Sequence, residues 1–343
     1  MNKTNNRIIW MDAVRVVAVL MVLVIHSPLP TGEHNVFLSI YNYMSAPTIG
    51  LFFMISGALL LPLKDSSTKV FYTKRLSKIG FPLIVWSLFY ILVHTGTDDL
   101  SFTYFVEQVM LIPFTPVEGV LWFVYTLIGL YLLAPIITPW LKQTSQKELL
   151  FVLSLWVVTL IFPYINVFLP GFYNVTGSIT NSFFYFSGYL GYFLMGYYLK
   201  QYPIKFTSFN LIVGMLVFLV IVVFIPGLIY LNPSENIENS LVYNYLTINI
   251  ALMSIVIYVG IQKINFCFSV FNKVLVEISK MSFGIYLLHI FILRDVVWQW
   301  FNMVYVINPA FQIPLMAILT LLVSYMIIKL ISILPGSKYI IGV

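Results

Sequence analysis

The chain alternates long apolar runs with short polar segments, and that alternation admits one kind of fold. A helix rises about 1.5 Å per residue, so about 20 mainly apolar residues cross a hydrocarbon core of about 30 Å. Ten stretches of the 343-residue sequence meet this length, at about 8–28, 38–62, 77–96, 119–140, 149–168, 182–199, 208–230, 241–262, 281–301 and 311–334. Within lipid every backbone N–H and C=O must be bonded inside the protein, which makes such runs helices. Turn-forming clusters separate them, among them Pro28-Leu29-Pro30, Pro113 to Pro116, Pro170-Gly171 and Asn308-Pro309. Composition agrees, with 60% hydrophobic and 9% charged residues, against about 25% charged in a soluble domain. A soluble globular enzyme, a disordered chain and a collagen are excluded. The lone Cys267 excludes an internal disulfide framework.

The net charge of +6 would suggest nucleic acid in a soluble protein, but here the basic residues report topology, because short loops rich in Lys and Arg stay cytoplasmic. Lys3 and Arg7 precede the first span. Lys64, Lys69, Lys74, Arg75 and Lys78 fall in the second loop, and Lys142 and Lys147 in the fourth. Lys200 and Lys205 fall in the sixth loop, Lys263, Lys273 and Lys280 in the eighth, and Lys329 and Lys338 at the C-terminal end. Sixteen of the eighteen basic residues thus share one side, and the odd-numbered loops hold none. The expected architecture is an all-α integral membrane bundle of ten transmembrane helices, residues 1–343 forming a single domain, with both termini cytoplasmic in a cell (inner) membrane and no appended soluble domain. The opposite face carries Glu33, Asp98, Asp99, Glu107, Glu118, Glu235 and Glu238. The first run contains Asp12 and Arg15 and no small-residue cleavage pattern follows it, so it reads as a retained span and not a secretory signal. No internal repeat is visible. Loops 97–118 and 263–280 are short enough to be re-entrant or interfacial caps.

Two basic residues remain, Arg15 and Arg294, both within spans. An Arg at a helix centre costs about 2.5–3.5 kcal/mol on insertion scales, so such residues face a partner or a water-filled cavity. Eleven residues make about three turns, which puts Arg15 and His26 within about 20° of each other and about 16 Å apart along the axis. They define one stripe that can border a passage across the bilayer. Asp12 lies three residues before Arg15, where carboxylate and guanidinium can meet; the pair reads either as a structural ion pair or as part of a site. Imidazole accepts a proton near neutral pH, which suits His26 to general-base work. His289 falls about 13 Å beyond Lys280, near mid-membrane, as a packing residue or a site residue. Arg294, about 140° around the helix from it, reads as snorkelling to the outer interface. Lys74, Arg75 and Lys78 satisfy the topology rule and also suit the phosphates of an anionic cytoplasmic donor, Arg75 by bidentate contact. Glu118 and Trp122 start the fourth span, as interfacial belt residues or as a carboxylate beside an indole edge that can hold a sugar. His34 and His94 read as solvent-facing, without a constellation. No His, Cys and carboxylate spacing argues a metal site.

Asp12-Ala13-Val14-Arg15 with His26 ten residues after the Arg resembles the first-helix signature of the integral-membrane acyltransferase type 3 family. Further stretches agree in order: Pro47-Thr48-Ile49-Gly50-Leu51-Phe52-Phe53-Met54-Ile55-Ser56-Gly57; Phe71-Tyr72-Thr73-Lys74-Arg75-Leu76 with Pro82; Leu121-Trp122-Phe123-Val124-Tyr125 with Tyr131 and Pro135; and Ser282-Phe283-Gly284-Ile285-Tyr286-Leu287-Leu288-His289. The second, fourth and ninth spans are especially similar to the branch of surface polysaccharide O-acyltransferases that includes the enterobacterial common antigen O-acetyltransferase. The resemblance implies a ten-helix membrane O-acyltransferase that moves an acyl group, commonly acetyl, from cytoplasmic acyl-CoA to a hydroxyl of a surface or cell-wall carbohydrate. Acyl-CoA is then a donor substrate, with no permanently bound cofactor. The partners are a carbohydrate or lipid-linked glycan acceptor and membrane lipid, and not nucleic acid. On this reading His26 is the general base, acting on the acceptor hydroxyl or on an intermediate carrier. Arg15 positions the thioester or stabilises charge, and Asp12 holds Arg15. Arg75, with Lys74 and Lys78, binds CoA phosphate, while Trp122, Glu118, His289 and Tyr286 shape the acceptor site. The rival is a transporter or flippase of a glycan or lipid-linked intermediate using the same stripe; a membrane sensor or scaffold is a third reading.

Overall fold

A computed structural model of the chain describes residues 7–28, 36–64, 67–94, 101–169, 181–204, 207–231, 241, 244–300 and 308–342. The expected features at Lys3, Glu33, His34, Asp98, Asp99, Pro170-Gly171, Lys205, Glu235 and Glu238 lie outside these residues. The helices are α1 Ile9–His26, α2 Val36–Ser45, α3 Thr48–Leu60, α4 Thr68–His94, α5 Phe102–Leu111, α6 Trp122–Gln143 and α7 Gln146–Thr159. They continue as α8 Phe162–Phe168, α9 Leu190–Gln201, α10 Ser208–Leu231, α11 Ile248–Lys263, α12 Ser269–Phe291, α13 Pro309–Ile331 and α14 Lys338–Ile341. No strand occurs among the described residues. Among them, seven helical stretches are long and apolar enough to cross a membrane: Ile9–His26, Phe37–Leu60, Thr68–His94, Gly119–Gln143, Gln146–Val167, Ser269–Val297 and Pro309–Ile331.

The helices depart from the hydropathy runs in ways that have physical causes. The second run is two helices, α2 and α3, broken at Ala46-Pro47, where proline cannot donate to the ladder. Its carbonyl opens the ladder of α3 by accepting the Leu51 N–H at 3.0 Å, and it also accepts from Ser254 Oγ at 3.3 Å. The sixth run contains only the 12 residues of α9 after a tight turn at Phe184–Phe186, about 18 Å of helix. Conversely, α4 begins at Thr68 and α12 at Ser269, well before their apolar runs. A helix continues into a polar region because its backbone bonds are internal, whereas hydropathy registers only its apolar part. Lys69, Lys74, Arg75 and Lys78 therefore lie on a helix and not in a loop. The expected loop 97–118 contains α5, which Ser101 caps by accepting the Tyr104 N–H. α7 opens with a capping box between Ser145 and Glu148.

The chain divides into two compact units, the first made of Met1–Leu61, Gln143–Ser279 and Met303–Ile318. Its centre is the crossing of α3 and α9, where no side chain separates the backbones. A Cβ on Gly57 would stand 1.8 Å from the Phe193 carbonyl oxygen, and one on Gly196 would stand 1.9 Å from that of Met54. Small residues let helices approach this closely in a membrane. α1 packs beside them, Thr48 Oγ1 donating to the Ala18 carbonyl at 2.7 Å. A buried polar network ties α2, α8 and α11: Tyr164 donates to Asn249 Oδ1 at 2.5 Å, and Asn249 Nδ2 donates to the Tyr43 hydroxyl.

The second unit comprises Pro62–Lys142, Lys280–Asn302 and Leu319–Val343. Tyr90 on α4 donates to the Leu287 carbonyl at 2.7 Å, and Tyr72 donates to that of Leu132 at 2.8 Å. The short C-terminal α14 is pinned to α4 by Trp86 Nε1 donating to the Ile340 carbonyl at 2.9 Å. After α12 the chain makes a π-helical stretch over Ile292–Val297, a wide turn of a kind that recurs at functional sites.

Candidate active site

The site residues expected from sequence fall into two groups, one in each unit. Asp12, Arg15 and His26 belong to the first; Lys74, Arg75, Lys78, Glu118, Trp122, Tyr286 and His289 belong to the second.

Asp12 is 4% exposed in the first turn of α1. Arg7 grips it with a two-pronged fork, Nε to Oδ2 and Nη2 to Oδ1, both at 2.7 Å. That fork, aided by the charges of Asp12 and Glu277, raises the Arg7 pKa above its ordinary value despite partial burial. The Ser279 hydroxyl donates to Asp12 Oδ1 at 2.5 Å and accepts from Arg15 Nη1 at 3.2 Å. Since a hydroxyl has one proton, donation to Asp12 leaves its lone pairs for Arg15. The expected Asp12–Arg15 pairing is thus joined by a third residue, itself 2% exposed. The sequence points to neither Arg7 nor Ser279 as a site residue. Arg7 registers there only as a topology residue, and Ser279 lies 267 positions from Asp12, beyond any local spacing rule.

Arg15 and His26 occupy one face of α1, both half-buried. Between them that face presents Ala18, Val19 and Val22, 0%, 1% and 3% exposed. The stripe is therefore polar at its two ends and packed aliphatic in the middle, so it is not a continuous polar lining. At the His26 end, Ser27 is fully buried and donates to the Leu23 carbonyl at 2.6 Å.

In the second unit, Lys74, Arg75 and Lys78 line a pocket of about 420 Å³ together with Ser77, Lys338 and Tyr339. Lys74 and Lys78, one turn apart, share a face of α4 with Arg75 beside them. The sequence singles out this trio but not the contribution of α14.

A second polar cluster gathers where α4 ends. His94 Nδ1 lies 3.1 Å from Glu118 Oε2, and its Nε2 lies 3.6 Å from Asp295 Oδ2. Arg294 Nη1 reaches Glu118 Oε1 at 3.4 Å. This corrects two sequence expectations: His94 belongs to a constellation, and Arg294 meets a carboxylate as well as solvent. Their partners are 24 and 176 positions away, and the π-turn carries Arg294 and Asp295, so α-helical spacing cannot reveal the group. Tyr90 adds its ring, 5.4 Å from that of His94.

Tyr286 and His289 are buried, 5% and 0% exposed. The Tyr286 hydroxyl donates to the Val120 carbonyl, in the turn between Glu118 and Trp122. His289 Nδ1 bonds the Tyr286 carbonyl; a carbonyl only accepts, so Nδ1 carries a proton. Phe123, next to Trp122, lies 5.3 Å from the Tyr286 ring. The four acceptor-side residues named from sequence thus form one neighbourhood, with Tyr286 and His289 as its buried support. No three His, Cys, Asp or Glu among the described residues are grouped to hold a metal ion.

No curated protein and no solved structure matches the chain. The acyltransferase domain of the acyltransferase type 3 family matches residues 8–329, taking in both groups of site residues and every helix from α1 through most of α13. With apolar helices long enough to span a bilayer and a domain match over nearly its full length, this chain belongs to the acyltransferase type 3 family and is a multi-pass membrane protein.

Proposed function

We propose that this membrane acyltransferase is an O-acyltransferase that moves an acyl group, acetyl being the expected one, from cytoplasmic acyl-CoA to a hydroxyl of a surface or cell-wall carbohydrate. The observation that carries this reading is the placing of Arg15 and His26 on one packed face of α1, with Arg15 bonded to Ser279. The basic pocket on α4 supports a polyanionic donor. The reading includes ten spans, cytoplasmic termini and the inner membrane, and follows the branch with the enterobacterial common antigen O-acetyltransferase. It is supported by the distribution of Lys and Arg along the chain.

In this reaction the acceptor oxygen attacks the thioester carbonyl carbon, the new C–O bond forms and the C–S bond breaks. His26 removes the hydroxyl proton, which goes to the departing CoA thiolate, so ester and free thiol are the products. Arg15, about 16 Å from His26 along the axis of α1, does not share that carbonyl with the base and positions the donor thioester on its approach. Asp12 and Ser279 hold Arg15. Lys74, Arg75 and Lys78 hold the donor phosphates. On the acceptor side Glu118 and Trp122 contact the sugar, with Tyr286 and His289 supporting them.

The test uses the purified protein with acetyl-CoA and a glycan acceptor, following thiol release and ester formation together. His26→Ala removes the base and is expected to lower kcat at least a hundredfold, the usual scale for general-base catalysis. Arg15→Ala lowers it comparably. Both variants keep the melting temperature within a few degrees. Turnover at the parent rate in either variant rejects the role assigned to that residue.

A further inference from the structure

The pocket on α4 has a second wall that the sequence does not announce. It is built by α14, the four-residue helix Lys338–Ile341 near the C-terminus. This wall is held firmly. Ile341 is 1% exposed, and Trp86 donates to the Ile340 carbonyl at 2.9 Å. Gly342 ends the helix at φ +70°, where a Cβ would stand 2.6 Å from the Lys78 carbonyl oxygen, so the turn touches the α4 residue that lines the pocket. Tyr339 packs edge-on against Phe81, ring centroids 5.1 Å apart at 81°, and keeps 44% of its surface exposed. The Lys338 ammonium sits 4.9 Å from the Tyr339 ring centroid. The pocket thus pairs a fixed aromatic face with four cations, Lys74, Arg75, Lys78 and Lys338, and no acid is among its lining residues.

That combination selects among anions. A lipid headgroup joined by a phosphodiester brings one charge and no aromatic ring. The nucleotide end of acyl-CoA brings a 3′-phosphomonoester and a 5′-diphosphate, about four negative charges at neutral pH, together with adenine. Four cations balance it, and adenine offers a π-face for Tyr339. A pocket of about 420 Å³ is also in the range of small-ligand sites. We propose that α14 forms the second wall of the donor site, Lys338 contacting a phosphate and Tyr339 stacking on the adenine. The proposal rests on the reading of the basic face of α4 as the donor side. It assigns to donor binding two residues that otherwise serve only as a topology marker and a packing ring.

The experiment titrates 3′-phosphoadenosine 5′-diphosphate, the donor's nucleotide end without its thioester arm, into the purified full chain in phosphatidylcholine nanodiscs. Lys338→Ala and Tyr339→Ala are each expected to raise Kd about fivefold, a modest value because both groups face solvent. Lys338→Arg returns Kd to within about twofold, since it restores the charge, and Arg75→Ala weakens binding as well. If Arg75→Ala leaves Kd unchanged, the donor reading of α4 falls and α14 falls with it. Weakened binding with Arg75→Ala and parent Kd with both Lys338→Ala and Tyr339→Ala overturns the second wall alone. Loss of nucleotide binding in phosphatidylglycerol nanodiscs, with Lys338→Ala silent in phosphatidylcholine, assigns the pocket to lipid headgroups and also overturns it.

Discussion

At Asp12 the arithmetic of a buried carboxylate decides what the residue is for. It takes a two-pronged fork from Arg7 and a hydrogen bond from the Ser279 hydroxyl, leaving little capacity for a direct chemical role. Removing one partner of a buried, bonded pair leaves the other uncompensated, a loss of about 3–5 kcal/mol when both are buried. The Arg7 side chain is 37% exposed, so water recovers part of that cost. Asp12→Ala should therefore destabilise the protein by about 2 kcal/mol, read as a fall in melting temperature. Adding Arg7→Ala should cost less than the sum of the single changes, because the pair is coupled. Additive losses would show that the fork contributes nothing. Ser279→Ala separates stability from chemistry: it removes the hydroxyl that accepts from Arg15 Nη1, lowering kcat several-fold with donor KM unchanged, while Ser279→Thr, which keeps the hydroxyl, restores kcat. Equal loss in the Ala and Thr variants would indicate packing alone.

Among the helices, the crossing of α3 and α9 carries the tightest constraint. An added methyl carbon on either glycine would meet backbone atoms of the other helix, at 1.8 and 1.9 Å, and a backbone cannot rotate away as a flexible side chain can. Gly57→Ala or Gly196→Ala must push the helices apart, at a cost of about 1–3 kcal/mol for each inserted methyl. Gly80 on α4 and Gly260 on α11 have nothing within 4 Å and are the controls. Gly→Ala at those two positions should leave the melting temperature unchanged or slightly raised, as expected for a better helix former. Equal effects at all four sites would show that the crossing yields.

This contrast also explains what the sequence can disclose. Hydropathy locates every described long helix, because burial in lipid demands a long apolar run, and the ten-residue interval from Arg15 identifies His26 as its facial neighbour. Proline at position 47 carries a readable signal for the break between α2 and α3, yet a run of apolar residues masks it. Contacts between distant positions carry no such signal. Ser279 against Asp12, Glu118 against His94, and α14 against α4 depend on which helices become neighbours, and no periodicity records that.

For the molecule as a whole, the distribution of charge makes a claim about orientation that one residue can test. Cys267 is the only cysteine of the chain, and it is exposed between α11 and α12. The same segment lies near Lys263 and Lys273, so the positive-inside rule assigns it to the cytoplasm. A thiol reagent that cannot cross lipid should leave Cys267 unmodified in intact cells and label it in inside-out vesicles, with no cysteine-free background needed. A cysteine introduced at Phe114, 82% exposed in the turn after α5, in a chain carrying Cys267→Ser, should label with the opposite preference. Both positions labelling from one side would mean an odd number of crossings too many or too few between them, and the ten-span arrangement would fall. Opposite labelling would place the basic face of α4 with Cys267, on the side where acyl-CoA is made, because an even number of spans separates those segments in that arrangement.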